Sequence, residues 1–171
     1  LTLTIDEGKK ICQVVRETKR VFQVGTQQRS DARFLLAIAI ARSGRLGKTL
    51  KATCSIGGAP SGGPFQEATP PEGLNWDVWL GQCPKVPYTR ERCHGSFRSF
   101  FDYSGGVFAD FWCHIADVLF MSLQPEGSTV VDARGEVPGD GIADTPKWID
   151  ADFTFKDLNV HWTTVPPQVP G

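Results

Sequence analysis

Residues 103–123 place two carboxylates and a histidine inside the most apolar run of the chain. Asp110, His114 and Asp117 are spaced by four and then three residues, and because a helix turns by about 100° per residue, they form one polar stripe on a predicted helix. The apolar residues around them predict a helix buried on nearly all sides. A carboxylate one turn before a histidine can orient the imidazole and raise its basicity, as a general base near neutral pH requires.

The same spacing also fits a structural role, because an Asp/His pair four residues apart is common at the solvent-exposed edge of an amphipathic helix. Burying an unpaired charge is unfavourable by several kcal/mol, so the stripe must face a partner, water or a cleft. If the stripe is functional, we expect it to open into a pocket. The spacing alone leaves both interpretations open.

The composition is that of one ordinary domain, with 171 residues, 40% hydrophobic residues and a formal net charge of -1. Lysine and arginine are scattered along the chain, so we predict no nucleic-acid partner. No uninterrupted apolar run has the length of a membrane span, and the N-terminal residues do not resemble a signal peptide. We therefore predict no membrane partner.

The five cysteines are odd in number and lack C-x-x-C spacing, which argues against a disulfide framework. The pairs Cys93-His94 and Cys113-His114 could meet around a metal ion. Structural zinc ligands usually come in short-spaced pairs, however, so we predict no metal site.

The first 30 residues predict a helix, a short strand and a loop. Thr4 and Glu7 form a capping box that predicts a helix over residues 5–19. Residues 21–25 predict a short buried strand, followed by a polar loop over 26–30 that contains Gln27, Gln28 and Arg29. Ligands bind beyond the carboxyl ends of parallel strands, so these three residues are placed for ligand contact. A plain surface loop is equally consistent with them.

Periodicity predicts most of the remaining elements. A second helix is expected with Phe34, Leu35 and Ile38 directed inward. Residues 57–63 are rich in glycine but are followed by proline, which predicts a long surface loop rather than a dinucleotide fingerprint. That second helix is expected over 31–43, and the other expected elements are a half-buried strand over 49–56, a short helix over 74–80, a strand over 129–131 and a hairpin over 149–164.

A basic and aromatic segment, residues 90–98, leads to the central helix. His94 and Arg98 in this segment are candidates for binding a polyhydroxylated or anionic ligand. A surface position without function is the alternative.

These motifs together resemble the Gfo/Idh/MocA family of oxidoreductases, especially its bacterial, planctomycete-like members. The likeness extends over essentially the whole chain and rests on VFQVGTQQRS, ARSGRLGK, PPEGLNWDVWLG, YSGG and the D-x-x-x-H-x-x-D of the central helix. The resemblance implies an α+β fold, with helices packed on one face of a mostly antiparallel sheet, preceded by the last helix and strand of a Rossmann domain. It also implies NAD or NADP as cofactor and a sugar or cyclitol as substrate.

Site roles follow from the same resemblance. His114 would be the acid/base on the substrate hydroxyl, and Asp110 would orient it and bind substrate. Together with the residues singled out above, the expected substrate-binding set is Asp117, Arg98, His94 and Tyr103, and the expected cofactor-binding set is Gln27, Gln28, Arg29 and Trp112. Trp112 stands where the family usually has glycine, so its indole would narrow or block the cofactor site.

The chain lacks two motifs of the family, the G-x-G-x-x-G loop and the E-K-P sequence. We therefore expect residues 1–28 to be the C-terminal remnant of a dinucleotide-binding domain. Residues 29–171 would be a substrate-binding and oligomerisation domain that is incomplete. We expect no tight NAD(P) binding and no dehydrogenase activity from this chain alone.

Three further expectations complete the interpretation. The C-terminal sheet is expected to form a homo-oligomer, and the default location is cytoplasmic, with a periplasmic location left open. One alternative function is a non-catalytic module that binds or assembles through the sheet. The other is an NAD-dependent glycosidase of the same family.

Overall fold

The computed structural model describes residues 2–48, 50–56, 65–127, 129–139 and 141–164. The glycine-rich loop predicted over 57–63 lies outside the described residues. The described part confirms the α+β class, with a mixed four-stranded sheet and several helices. The helices are α1 (Ile5–Thr18), α2 (Ala32–Arg42), α3 (Trp76–Leu80) and α4 (Gly106–Leu123). The strands are β1 (Leu50–Ser55), β2 (Val130–Glu136), β3 (Trp148–Thr154) and β4 (Leu158–Thr163).

The sheet has the order β1-β4-β3-β2, with β1 parallel to β4 and the other two pairs antiparallel. Three short 3-10 turns join the helices, and they span Gln27–Ser30, Arg90–Arg92 and His94–Ser99. Strand alternation puts one face of the sheet against α4, while α2 lies against α4. The alternation predicted for the strands is confirmed.

The core lies between α4 and the sheet. Trp162 of β4 is fully buried, and its register partners Cys54 of β1 and Ala151 of β3 are buried beside it. From α4, Phe108 contacts the Trp162 ring edge to face at 5.2 Å between centroids, and Trp112 does so at 5.7 Å. These aromatic contacts fix which side of α4 faces the sheet.

The capping box is confirmed at the start of α1, where the Thr4 hydroxyl accepts from the Glu7 amide and the Glu7 carboxylate accepts from the Thr4 amide. The strand predicted over residues 21–25 is wrong. Val21 is 99% exposed, and Phe22 and Val24 are each 49% exposed. A strand needs a neighbour for its backbone hydrogen bonds, and no described residue pairs with this segment.

Two burial predictions are also wrong. Leu35 of α2 is 45% exposed, although Ile38 is buried as predicted. Helix α4 is not buried on nearly all sides, since Phe120 is 40% exposed and Cys113 is exposed. The sheet and α2 cover only part of its circumference.

Helix α4 has the length and apolar composition of a membrane span, with a mean hydropathy of 1.4 over 18 residues. One side of it packs on the sheet, and another carries Asp110 and Asp117 in ion pairs. We therefore interpret α4 as a core helix. It begins at Gly106, whose φ of +79° is a conformation that favours glycine.

Candidate active site

The polar stripe of α4 is bordered by two of the 3-10 turns. From the Gln27–Ser30 turn, Arg29 donates two hydrogen bonds to Asp117, from Nε at 2.7 Å and from Nη2 at 2.5 Å. The Asp117 side chain is 15% exposed and that of Arg29 is 52% exposed. The hydrogen bonds from Arg29 lower the pKa of Asp117; burial opposes this shift, and attraction to Arg29 and His114 adds to it. Asp117 is therefore a carboxylate held by a two-point contact.

At the other end of the stripe, Asp110 accepts a hydrogen bond from Nε of Arg98 at 2.6 Å. Arg98 lies on the His94–Ser99 turn, and its guanidinium also lies 4.8 Å from the Phe97 ring. Its backbone carbonyl accepts from the Thr145 hydroxyl at 3.1 Å. These contacts hold Arg98 in place, so Asp110 is directed toward Arg98. The described hydrogen bonds include none between Asp110 and His114.

His114 lies between these two ion pairs on the same side of α4 and is partly exposed. Its Nδ1 atom is buried and has no hydrogen-bond partner among the described residues. The other ring nitrogen, Nε2, also makes no hydrogen bond to a described residue, but unlike Nδ1 it is not fully buried. The imidazole is thus flanked by two carboxylates that are both occupied by arginines.

Of the other predicted substrate-binding residues, Tyr103 belongs to an aromatic cluster. Its hydroxyl accepts from Nη1 of Arg92 at 3.0 Å, and its ring meets Trp79 edge to face at 4.9 Å. Burial raises the pKa of Tyr103, although the hydrogen bond from Arg92 opposes that shift. His94 is exposed, with a positive φ of 51°.

The predicted cofactor-binding residues lie in two separate places. The Trp112 ring stacks on Phe153 at 4.5 Å within the core. Trp112 precedes His114 by two residues, or about 200° around the helix, so its indole faces the sheet and not the stripe. Gln27 is exposed and Gln28 partly buried, and neither side chain makes a hydrogen bond in the described structure. Only Arg29 of this set touches the stripe.

Two concave regions lie elsewhere on the surface. The larger has a volume of about 180 Å³ and lies at the C-terminal end of α4, where it is lined by Lys48, Gln124 and Lys156 among others. The smaller lies at the N-terminal end of α4 beside Trp148. Neither is lined by a residue of the stripe. The expected pocket beside His114 is therefore not one of these two, and the stripe faces the two turns.

The described residues contain no cluster of three or more His, Cys, Asp or Glu arranged to hold a metal ion. All five cysteines are described, and each is a free thiol. Burial raises the pKa of the Cys54 and Cys93 thiols, which disfavours the thiolate form that metals bind.

Sequence reasoning did not foresee either ion pair of the site. Arg29 and Asp117 are 88 residues apart, and Arg98 and Asp110 are 12 apart. The one available signal was opposite charge among residues already singled out. Periodicity alone could have separated Trp112 from the stripe.

The fold and the stripe define an α+β domain in which a core helix presents a histidine between two paired carboxylates. The family model described as "Oxidoreductase family, C-terminal alpha/beta domain" matches residues 62–159, which is more than half of the chain. The chain belongs to the Gfo/Idh/MocA oxidoreductase family, as the sequence motifs predicted.

A solved structure also resembles this chain. The crystal structure of an NAD-binding protein from Listeria innocua is 16% identical in sequence, with a TM-score of 0.59. The match covers 99% of this chain and 41% of that protein, so this chain spans less than half of its length. At 16% identity, this similarity shows that the two proteins share a fold. No curated protein matches the chain.

Proposed function

We propose that the intact protein containing this domain transfers hydride between NAD(P) and a hydroxyl group of a sugar or cyclitol, with His114 as the acid/base. The observation that carries the proposal is the environment of His114. It is the one ionisable side chain of the stripe without an ion-pair partner, whereas Asp110 and Asp117 are both held by arginines. Membership of an oxidoreductase family supports the reaction type.

Two features of the described residues support one end of an NAD(P) site. The Gln27–Ser30 turn lies against α4, so the amides of Gln27 and Gln28 are candidates to contact the nicotinamide end. The buried, unpartnered Nδ1 of His114 shows that this part of the helix carries unused hydrogen-bonding capacity. The printed sequence contains no G-x-G-x-x-G loop for the pyrophosphate. NAD(P) binding is accordingly a proposal for the intact protein.

The proposed reaction moves a proton to the protein and a hydride to the cofactor. In the oxidation direction the O–H bond of the alcohol breaks, and Nε2 of His114 accepts the proton. The C–H bond on the same carbon breaks with its electron pair, and the carbon becomes a carbonyl. When bound, NAD(P)+ supplies the hydride acceptor. Asp110 and Asp117 remain paired with Arg98 and Arg29, so neither holds the imidazole protonated before the transfer.

The pairing of both arginines predicts the charge of the substrate. Arg29 and Arg98 are each neutralised by a carboxylate, so neither is free to balance an anionic group. We expect the complete gene product to reduce NAD+ or NADP+ with neutral polyols. We also expect kcat/KM to be at least about tenfold lower for the matching sugar acids or phosphate esters, a difference of about 1.4 kcal/mol.

The measurement is the absorbance of reduced nicotinamide with both nucleotides over matched neutral and anionic substrates. The 171-residue chain by itself is the control, and we expect no nucleotide reduction from it. A preference for anionic substrates would contradict the charge argument. Failure to reduce either nucleotide with any alcohol would contradict the proposed function.

A specific observation also supports association through the sheet. Every residue of edge strand β2 is exposed, including Val130 at 71% and Val131 at 52%. An exposed edge strand is a template for pairing with another chain. We expect the chain to sediment as a dimer or larger at micromolar concentration, and Val131→Lys to weaken association about tenfold or more.

Analytical ultracentrifugation over a concentration series measures this association. Val14→Lys is the matched control, because Val14 is a similarly exposed valine on α1. A chain that stays monomeric at all concentrations would contradict the proposal.

A further inference from the structure

The contact between Arg29 and Asp117 joins two distant parts of the chain. Among the side-chain hydrogen bonds of the described residues, it is the one that ties residues 2–30 to the rest of the structure. The remaining side-chain bonds of this segment are local, such as Gln13 to Glu17. Arg29 therefore ties the Gln27–Ser30 turn to α4.

The same contact lies one helical turn from His114. Asp117 follows His114 by three residues, and side chains at this spacing are neighbours on a helix, with Cβ atoms about 5–6 Å apart. Attraction between Asp117 and His114 is one of the causes that lower the pKa of Asp117. The Asp117 carboxylate thus has two possible cationic neighbours, Arg29 and a protonated His114.

We infer that Arg29 is a positioning residue for His114, because it occupies the carboxylate that would otherwise pair with the imidazole and hold it protonated. A general base must be neutral before it accepts a proton. With Arg29 in place, the charge of Asp117 is largely balanced, so the ring stays available. The catalytic consequence of this inference rests on the proposed function, but the pairing does not.

Among the described residues, the other charged side chains on the elements packed against α4 either have a partner or are exposed, as His94 is. Asp110 on α4 is paired with Arg98 on the His94–Ser99 turn. On α2, the neighbouring helix, Arg33 is paired with Asp31 and Arg42 donates to the carbonyl of Met121. From β1, Lys51 is exposed and alternates with the residues that face α4. Arg29 and Asp117 are therefore the pair whose balance acts most directly on His114.

Opposite shifts after removing each partner would distinguish this role from simple packing. In Arg29→Gln, an unbalanced carboxylate remains beside His114 and favours its protonated form. We expect the NMR titration midpoint of the His114 ring to move to higher pH by about 0.5–1 unit. In Asp117→Asn, an unbalanced guanidinium remains, and the midpoint is expected to move to lower pH. The double variant is expected to return close to the original midpoint.

The titration uses this chain as it stands and needs no cofactor. Arg29→Lys keeps the charge and is expected to leave the midpoint close to that of the original chain. Arg33→Gln removes an arginine whose one ion-pair partner in the described part of the chain is Asp31, and it is expected to leave the midpoint unchanged. The rings of His94 and His161 serve as internal references that do not move. Shifts of equal sign in Arg29→Gln and Asp117→Asn, or no shift in either, would overturn the inference.

The role of Arg29 and the proposed function can be contradicted separately. If the midpoints move as expected but the complete gene product reduces no nucleotide, the role of Arg29 is supported and the proposed function is contradicted. If turnover depends on His114 but the midpoints do not move, the function stands and the role of Arg29 falls. In an active enzyme, the acidic limb of the kcat/KM profile is expected to shift in the same direction as the His114 midpoint.

Discussion

Replacing His114 by asparagine in the complete gene product is expected to lower kcat by about 10²–10⁴-fold, the usual contribution of a general acid or base. Asparagine preserves polarity at the position, but it cannot take up the proton that leaves the alcohol. The change lies on a partly exposed side chain, so we expect the fold to be unaffected. Steady-state rates with NAD(P)+ and the best polyol measure the effect, and calorimetry checks that nucleotide affinity is retained.

His161→Asn is the matched control for that change. His161 lies on β4, with Nδ1 2.9 Å from a carboxylate oxygen of Asp152 and Nε2 3.5 Å from one of Asp150. These contacts are on the sheet face that points away from α4, so the control is expected to keep full activity. A His114→Asn enzyme within a few-fold of the original rate would rule out the catalytic role.

Replacing Trp162 by alanine is expected to destabilise the protein by about 3–5 kcal/mol, the range for truncation of a buried aromatic residue. Trp162 is fully buried, and its ring contacts both Phe108 and Trp112 of α4. The change removes the surface on which α4 rests. Urea unfolding followed by circular dichroism measures the loss, which is large compared with the total stability of a typical domain.

Trp162→Phe provides a milder variant if the alanine variant fails to fold. Nε1 of Trp162 is buried and has no hydrogen-bond partner in the described structure, so phenylalanine removes an unpaired donor along with part of the ring. We expect a loss of about 1–2 kcal/mol. Trp148→Ala, at a tryptophan that is 37% exposed, is expected to lose less than Trp162→Ala. Equal losses at the two tryptophans would contradict this account of the core.

Local patterns in the sequence predicted helices and strands well where the pattern depends only on residues close together in the chain. The alternation through Ala151 and Phe153 requires one apolar face, and the structure packs that face against α4. The capping box of α1 is equally local, because its two hydrogen bonds join residues three apart. Such features depend on near neighbours, which a single sequence contains.

The failures concern long-range partners. Residues 21–25 have the composition of a buried strand, but composition does not show whether another strand lies beside them. Similarly, helical periodicity placed Asp110, His114 and Asp117 on one stripe, yet it gave no means of choosing Arg29 or Arg98 as their partners. The polar stripe could be placed on one helix from the sequence, whereas its charge pairing required the tertiary structure.

The position of His114 relative to a bound alcohol decides whether it can act as the acid/base. A crystal structure of the complete gene product with NAD+ and a slowly reacting polyol tests this directly. We predict that Nε2 of His114 lies within about 2.6–3.2 Å of the hydroxyl oxygen on the carbon nearest the nicotinamide ring. A polyol bound elsewhere, with His114 separated from it by packed side chains, would contradict the proposed function.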